Sequence, residues 1–467
     1  MVSFLLSACG CPTYKVNISN RPGVVDYTYN DGNYISTERS TKNIATCKGK
    51  VHIAWFGKNS SGQTAVFYRR STNGGVTWDP ALQLTPFVGN LGLEMWVQCY
   101  GDTVVVAYEK VESDNNIYYR YSTNGGNTWS SEALLRGGSY NQEAPSIWIW
   151  GNNFHLAWSD NTPPALVPVY YVWYGRSTTL GSSWVSSGRR DLSDSPIIVG
   201  DPTNPNRLHI IFMIFNALER KARYIRSTDG GATWSSTFDL SNGFNAGGSG
   251  FWGRPIGSIS AYGNYVHAVF VDERFGNKEV LYRRSTDAGT TWSAITNLSG
   301  TSDTSWSPYI LTNNAGEVRV YWVDKSDGDY EVLCKISTNN GSSWSANDRL
   351  TNNTAKDVMV SLDYDPTNSR WHIVWSSNES GDWEVYYTSD PCPTSSDDDL
   401  GVAEGGEVGG FRIGRDGIIL HKDAEVRVFD VLGKLYISGK FVKGEKVRLK
   451  RGVWFILIDG KIYRVII

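Results

Sequence analysis

Apolar residues fall on alternate positions of this chain in short runs, and the runs return about every 50 residues. "VHIAW", "TVVVAY", "FHLAW", "LHIIF", "VHAVF", "VRVYW" and "WHIVW" are seven such runs. A small or mixed run ending near Gly precedes each one. A polar loop and an aromatic run, such as "AVFYRRS" or "NIYYRYS", follow it. Period two predicts strands, because successive side chains of a strand point to opposite faces. A turn comes next, then a last short run such as "ALQLT" or "AITNLS". Four short strands per unit is the content of one propeller blade.

The turn between the third and fourth runs is the most regular feature. It reads "STNGGVTW" from Ser71, "STNGGNTW" from Ser122 and "STTLGSSW" from Ser177. It returns as "STDGGATW" from Ser227, "STDAGTTW" from Ser285 and "STNNGSSW" from Ser337. The Ser-to-Ser spacings are 51, 55, 50, 58 and 52 residues. A fixed period of this length marks a repeat architecture. A phosphate cradle is one loop opening one helix, so six copies between strands argue for a structural turn. Ser and Asx side chains can bond backbone amides there, and Gly supplies the positive φ.

These stretches resemble the Asp-box, or bacterial neuraminidase repeat, Ser-x-Asp-x-Gly-x-x-Trp, found in sialidases and in unrelated propellers. The resemblance implies a propeller and says little about activity. Asp stands at the third place only in Asp229 and Asp287; Asn73, Asn124, Asn339 and Thr179 replace it elsewhere. Asn makes the same turn bonds but supplies no charge for calcium.

The seventh unit, "WHIVWSSNESGDWEVYYTSD", stops after its third strand. An N-terminal segment, "YKVNISN", resembles the fourth strands of other units. Residues Tyr14 to Asn20 are therefore expected to supply the outer strand of the last blade and close a seven-bladed ring over residues 14–390. Closure leaves no large unpaired edge. His52, His155, His209, His267 and His372 recur at one place of the second strand. Rotation spreads them around the ring, so they read as structural. Arg70, Arg176, Arg226 and Arg284, just before the turns, read the same way, as do Asp160, Asp272 and Asp324. No metal site and no cofactor are expected.

Charge divides the chain. The total is −3. Residues 411–467 hold 13 basic and 6 acidic residues, a net +7, which leaves −10 for the rest. Nothing global points to nucleic acid, and no apolar run is long enough to span a membrane. "PCPTSSDDDLGVAEGGEVGG", residues 391–410, reads as a flexible linker. Residues 411–467 read as a small β-sandwich of short alternating strands. The quoted residues are Val428-Phe429-Asp430, Gly433-Lys434, Gly452-Val453-Trp454-Phe455, Gly460-Lys461 and the terminal "RVII". That pattern resembles the type A sorting domain of proteins exported by the type IX secretion route. The resemblance implies contact with secretion machinery and an extracellular or outer-surface location. At the other end, "LSAC" at residues 6–9 resembles a lipoprotein signal box, and residues 1–13 are read as the remnant of a leader. The six cysteines form no CxxC pairs of metal type. Cys47 and Cys99 hold equivalent positions in neighbouring units, within possible reach of each other.

Function is expected where symmetry fails. The resemblance to Asp-box propellers implies that the turns lie on one face and that the loops leading into the innermost strands line the channel mouth on the other. Lys42, Glu94, Ala144, Ser195, Arg254, Ser307 and Asp357 align there, preceded in four blades by Glu143, Asp194, Gly253 and Trp306. These differ from blade to blade. Mixed charges with a Trp suit a glycan, so Lys42, Arg254 and Trp306 are the candidate ligand-binding residues. A binding module for a glycan or a protein is one reading. A sialidase-like glycoside hydrolase is another, with Arg254, Glu94, Glu143, Asp194 and Asp357 as candidate catalytic residues. The arginine triad of sialidases cannot be assembled, since the nearest match to its Arg-Ile-Pro is Arg254-Pro255-Ile256. A structural or adhesive surface protein is the third.

Overall fold

A computed structural model gives the fold. It describes residues 9–11, 14–20, 25–27, 41–89, 91–161, 170–191, 194–215, 220–243, 257–325 and 328–392. In the tail it describes 407–408, 411–414, 417–420, 423–429, 435–449, 453–458 and 461–466. The chain divides into two compact units, Met1–Cys392 and Pro393–Ile467.

The first unit is a ring of seven antiparallel sheets. The innermost strands are Ile44–Cys47, Leu91–Tyr100, Gln142–Trp150, Asp194–Asp201, Gly257–Tyr262, Ser305–Thr312 and Asp357–Asp365. Each packs on the next, and the seventh packs on the first. Second and third strands follow outward in sequence order. Blade 1 has one extra strand, Val25–Tyr27, paired to the end of Lys50–Lys58. The seventh blade takes its outer strand from the N-terminus, as expected: Val16–Asn17 pairs with Glu384–Asp390 in the register Val16↔Tyr387. The all-β, seven-bladed reading therefore holds.

Alternation along the second strands buries both sets of side chains, since each sheet is covered by a blade on either side. Strand Val318–Asp324 is buried at every position. The five repeated histidines sit in this layer. Their Nδ1 atoms share hydrogen bonds of 2.6 to 2.8 Å with third-strand tyrosines: His52–Tyr68, His155–Tyr174, His209–Tyr224, His267–Tyr282 and His372–Tyr387. Each tyrosine runs under the turn of the following blade. A Cβ on Gly126, Gly231, Gly289, Gly341 or Gly75 would strike its hydroxyl. That approach, as much as the positive φ, requires glycine there. The Trp of the same turn packs edge-on against the tyrosine, as in Tyr224–Trp292 at 4.9 Å.

Within each turn the third residue is an acceptor and needs no charge. Ser71 Oγ accepts from Gly75 N, and Asn73 Oδ1 accepts from Thr77 N at 2.9 Å. Asp229 does the same with Thr233 N, and Thr179 with Ser183 N. The preceding arginines reach across to the next blade's turn: Arg70 Nη1 donates to Gly125 O, Arg226 to Ala288 O and Arg284 to Asn340 O.

Two junctions depart from this pattern. Between blades 2 and 3, Val105 replaces the histidine, and Leu135 approaches Gly181 more closely than Tyr119 does. Between blades 6 and 7 there is no turn to lace. Arg319 replaces the histidine and Cys334 the tyrosine. The N-terminal Cys9-Gly10-Cys11 fills this seam through two disulfides, Cys9–Cys334 and Cys11–Cys392. Tyr321 OH donates to Cys9 O, and Cys11 N donates to Ser389 O at 2.9 Å. Cys9 is fully buried. A disulfide sulfur cannot also carry a thioether-linked lipid, so the fold and a lipid on Cys9 exclude each other. The third disulfide, Cys47–Cys99, ties the innermost strands of blades 1 and 2.

The second unit holds two four-stranded sheets. One is made of Glu407–Val408, Phe411–Gly414, Gly417–Leu420 and Lys446–Arg448; the other of Leu435–Phe441, Ala424–Phe429, Val453–Ile458 and Lys461–Ile466. Leu420, Val426, Val428, Val447, Leu449 and Ile456 are buried. Strand Glu407–Val408 begins inside the stretch read as linker. Asp430, Gly433, Lys434, Gly452 and Gly460 of the sorting-domain pattern lie outside the described residues.

Candidate functional site

Topology gives the ring two unlike faces. One carries the Ser-to-Trp turns and the turns joining first to second strands; Gly74 N donates to Gly49 O between the two kinds. The other carries the loops from second to third strands and those leading into each innermost strand. We call them the turn face and the loop face. On the turn face the repeated polar groups are engaged between blades, as described above.

On the loop face, innermost strands enter through β-bulges. Register shifts occur between Glu143 and Ser146, Asp194 and Ile197, Trp306 and Tyr309, and Val358 and Ser361. The bulged residues Ala144, Ser195, Ser307 and Met359 have φ of 53°, 51°, 51° and 58°. A non-glycine residue in this region is strained and needs support from its surroundings. Three of the four precede Pro, which further restricts them. The Ser195 and Ser307 hydroxyls are buried, with no hydrogen-bond partner among the described residues.

The candidate residues take separate positions around this rim. Glu143 Oε1 accepts from Asn115 Nδ2 at 2.8 Å and from Tyr170 OH at 3.2 Å. Asp194 Oδ1 accepts from Ser159 Oγ at 2.6 Å and Ser195 N at 2.7 Å. Asp357 accepts from Trp375 Nε1 and Asn353 Nδ2, and burial raises its carboxyl above the usual range. Glu94 is buried. Glu143 and Asp194 thus bond to the preceding blade, and Asp357 bonds within its own blade and to the loop that leads into it. Lys42 lies deeper, between blades 1, 2 and 7. Its Nζ donates to Gln98 Oε1 at 2.8 Å and meets Asp363 Oδ2 at 3.3 Å. Burial and the Asp363 charge together raise the Tyr309 hydroxyl well above its ordinary value. Arg254 and Gly253 lie outside the described residues.

Trp306 is packed into the core of blades 5 and 6 with Val271, Val320 and Trp322. The aromatic ring nearer the solvent there is Tyr330, which meets Trp306 edge-on at 5.2 Å and 86°. Lys325 Nζ lies 5.7 Å and Lys356 Nζ 5.9 Å from the Tyr330 ring centroid. Tyr140 and Phe275, 40% and 56% exposed, present two further aromatic side chains on this face. None of these was singled out by the sequence. The available signal was a Tyr just ahead of the third strand in "KSDGDYEV", with Lys on either side in neighbouring loops. Among the described residues no group of three His, Cys, Asp or Glu is placed to hold a metal ion.

Ring, closing strand and unlike faces define the class: a seven-bladed β-propeller followed by a smaller all-β unit. No family model and no curated protein matches the chain. Solved structures do. Polysaccharide lyase Uly1 matches with TM-score 0.53 and 10% identity, over 80% of this chain and 98% of that one. A PL25 ulvan lyase, solved bound to -[GlcA(1-4)Rha3S]-, matches with TM-score 0.51 and 10% identity, over 78% and 95%. The Trypanosoma rangeli sialidase matches with TM-score 0.46 and 10% identity, over 97% and 88%. At such identities the likeness is one of fold.

Proposed function

We propose that this is an extracellular or cell-surface propeller that binds glycans through its loop face. The observation carrying this reading is the division between the faces. Polar groups of the turn face bond neighbouring blades. The loop face presents exposed aromatics, Tyr140 and Phe275, beside bulged strands that differ from blade to blade. Aromatic faces cover sugar rings, and polar rims bond their hydroxyls. Propellers of this fold include proteins whose names mark them as polysaccharide lyases, which is consistent with a saccharide ligand.

A glycan panel probed with the full chain tests this. Binding is expected to weaken in Tyr140→Ala and Phe275→Ala and to persist in Tyr100→Ala, which alters an exposed aromatic of the turn face. Loss in Tyr100→Ala alone, or no retention of any glycan, refutes the reading. The tail is proposed as the export address, on its resemblance to type A sorting domains. A reporter carrying residues 409–467 behind a signal peptide should reach the surface of a type IX-competent bacterium; a reporter held in the periplasm rejects this.

A further inference from the structure

We infer that Lys325, Tyr330 and Lys356, on the loop face where blades 6 and 7 meet, form the subsite that selects acidic sugars, carboxylated or sulfated. This rests on the glycan-binding reading of the loop face and adds a location and a ligand class to it.

Two ammonium groups converge on one ring there. Lys325 follows the second strand of blade 6, Tyr330 precedes its third strand, and Lys356 precedes the innermost strand of blade 7. The Nζ atoms stand 5.7 and 5.9 Å from the Tyr330 centroid, within cation–π range. Tyr330 is fixed by Trp306 at its edge and by its own carbonyl, which accepts from Asp357 N at 2.8 Å.

Among the described residues, neither ammonium group has an ion pair or a hydrogen bond. Several other lysines of the ring are paired, as Lys15 with Glu379, Lys42 with Asp363 and Lys110 with Glu132. Nearby carboxylates turn elsewhere. Glu331 Oε1 accepts from Asn353 N at 2.8 Å, and Asp357 accepts from Trp375 and Asn353. Asp329, beside Tyr330, pairs with neither lysine. Both lysines are only partly exposed. Two ammonium groups within cation–π range of one partly exposed ring offer a local positive charge to an anion on this face. An ammonium group is a compact point charge with three rotatable donors, which can meet an oxyanion without a fixed bidentate geometry. A uronate carboxylate and a sulfate ester share this chemistry.

The test uses the full chain with three probes: polygalacturonate, dextran sulfate and neutral dextran. The acidic polymers are expected to bind more tightly than dextran, with a strength that falls as salt rises. The Lys325→Ala/Lys356→Ala variant should weaken acidic binding by about tenfold or more, roughly the loss of 1.4 kcal/mol. A Lys48→Ala/Lys50→Ala variant removes the same charge from the turn face and should change little. Binding to polygalacturonate alone assigns the carboxylate; binding to dextran sulfate alone assigns the sulfate ester. Dextran binding as tightly as the acidic polymers, or an unchanged lysine double variant of unchanged melting temperature, overturns this subsite and leaves the loop-face reading standing. Retention of no glycan in the wider panel overturns that reading itself.

Discussion

The junction of blades 4 and 5 and the junction of blades 6 and 7 join similar strands by different chemistry. At the first, Tyr224 bonds His209, passes under Gly289 and meets Trp292. Arg226 adds a bond to Ala288 O. At the second, Arg319 and Cys334 hold the equivalent places, and Cys9-Gly10-Cys11 arrives from the other end of the chain. Arg319 pairs with Glu317 and with Asp390 at the end of the last blade. A repeat joins its neighbours by local bonds, but a ring must close somewhere between residues hundreds of positions apart. Loop-closure entropy opposes that joint most. The laced junctions rely on buried neutral histidines; the seam relies on sulfur.

Acid should expose the first half of this contrast, with the largest effect. Burial holds His52, His209, His267 and His372 down at about 3 and His155 at about 4, against 6.5 for an ordinary histidine. The folded values are depressed, so the unfolded chain binds protons first. The stability these sites contribute is complete above pH 6.5 and is lost as pH falls from there toward about 4 for His155 and about 3 for the other four. Each site contributes at most about 1.4 kcal/mol per pH unit within that window. Calorimetry should therefore show a steep fall in melting temperature between pH 7 and pH 5. A flat profile there would break the relay account.

Loss of the two seam disulfides should have a smaller effect. Cys9–Cys334 and Cys11–Cys392 join residues 325 and 381 apart, and a native disulfide contributes about 2–5 kcal/mol. Reductant also opens Cys47–Cys99 between blades 1 and 2, so the seam-specific probe is the Cys9→Ser/Cys11→Ser variant, which should lower the melting temperature at pH 7 by several degrees. It should leave the acid slope unchanged, because no histidine sits in the seam. An unchanged melting temperature after reduction confirmed by mass spectrometry would mean that strand Val16–Asn17 closes the ring unaided.

The legible part of the fold was the part that repeats. Seven second-strand runs gave the blade number, and the missing fourth strand after Tyr387 pointed to Tyr14–Asn20. The histidines and pre-turn arginines read as structural because they recur, and their bonds bear this out. Cys9 and Cys11 were read within a leader remnant, because bonds to residues more than 300 positions away leave no local pattern. The channel mouth was harder for another reason. Counting by twos fails at a bulge, where one extra residue shifts every following side chain to the other face. Bulges at Ala144, Ser195 and Ser307 stand beside Glu143, Asp194 and Trp306. Glu143, Asp194 and Asp357 are hydrogen-bonded at the rim, and Trp306 is packed into the core. Tyr330 escaped notice because it lies just outside the strand whose pattern drew attention.

The seam also sets where mechanical load would travel. The last residue of the ring unit, Cys392, is bonded to Cys11; two residues before that, Cys9 is bonded to blade 6. Tension applied through the tail, as in a protein tethered by it, therefore meets covalent bonds on reaching the ring. It is shared between the first and last segments of the chain before it can peel the third strand, Glu384–Asp390, from its blade.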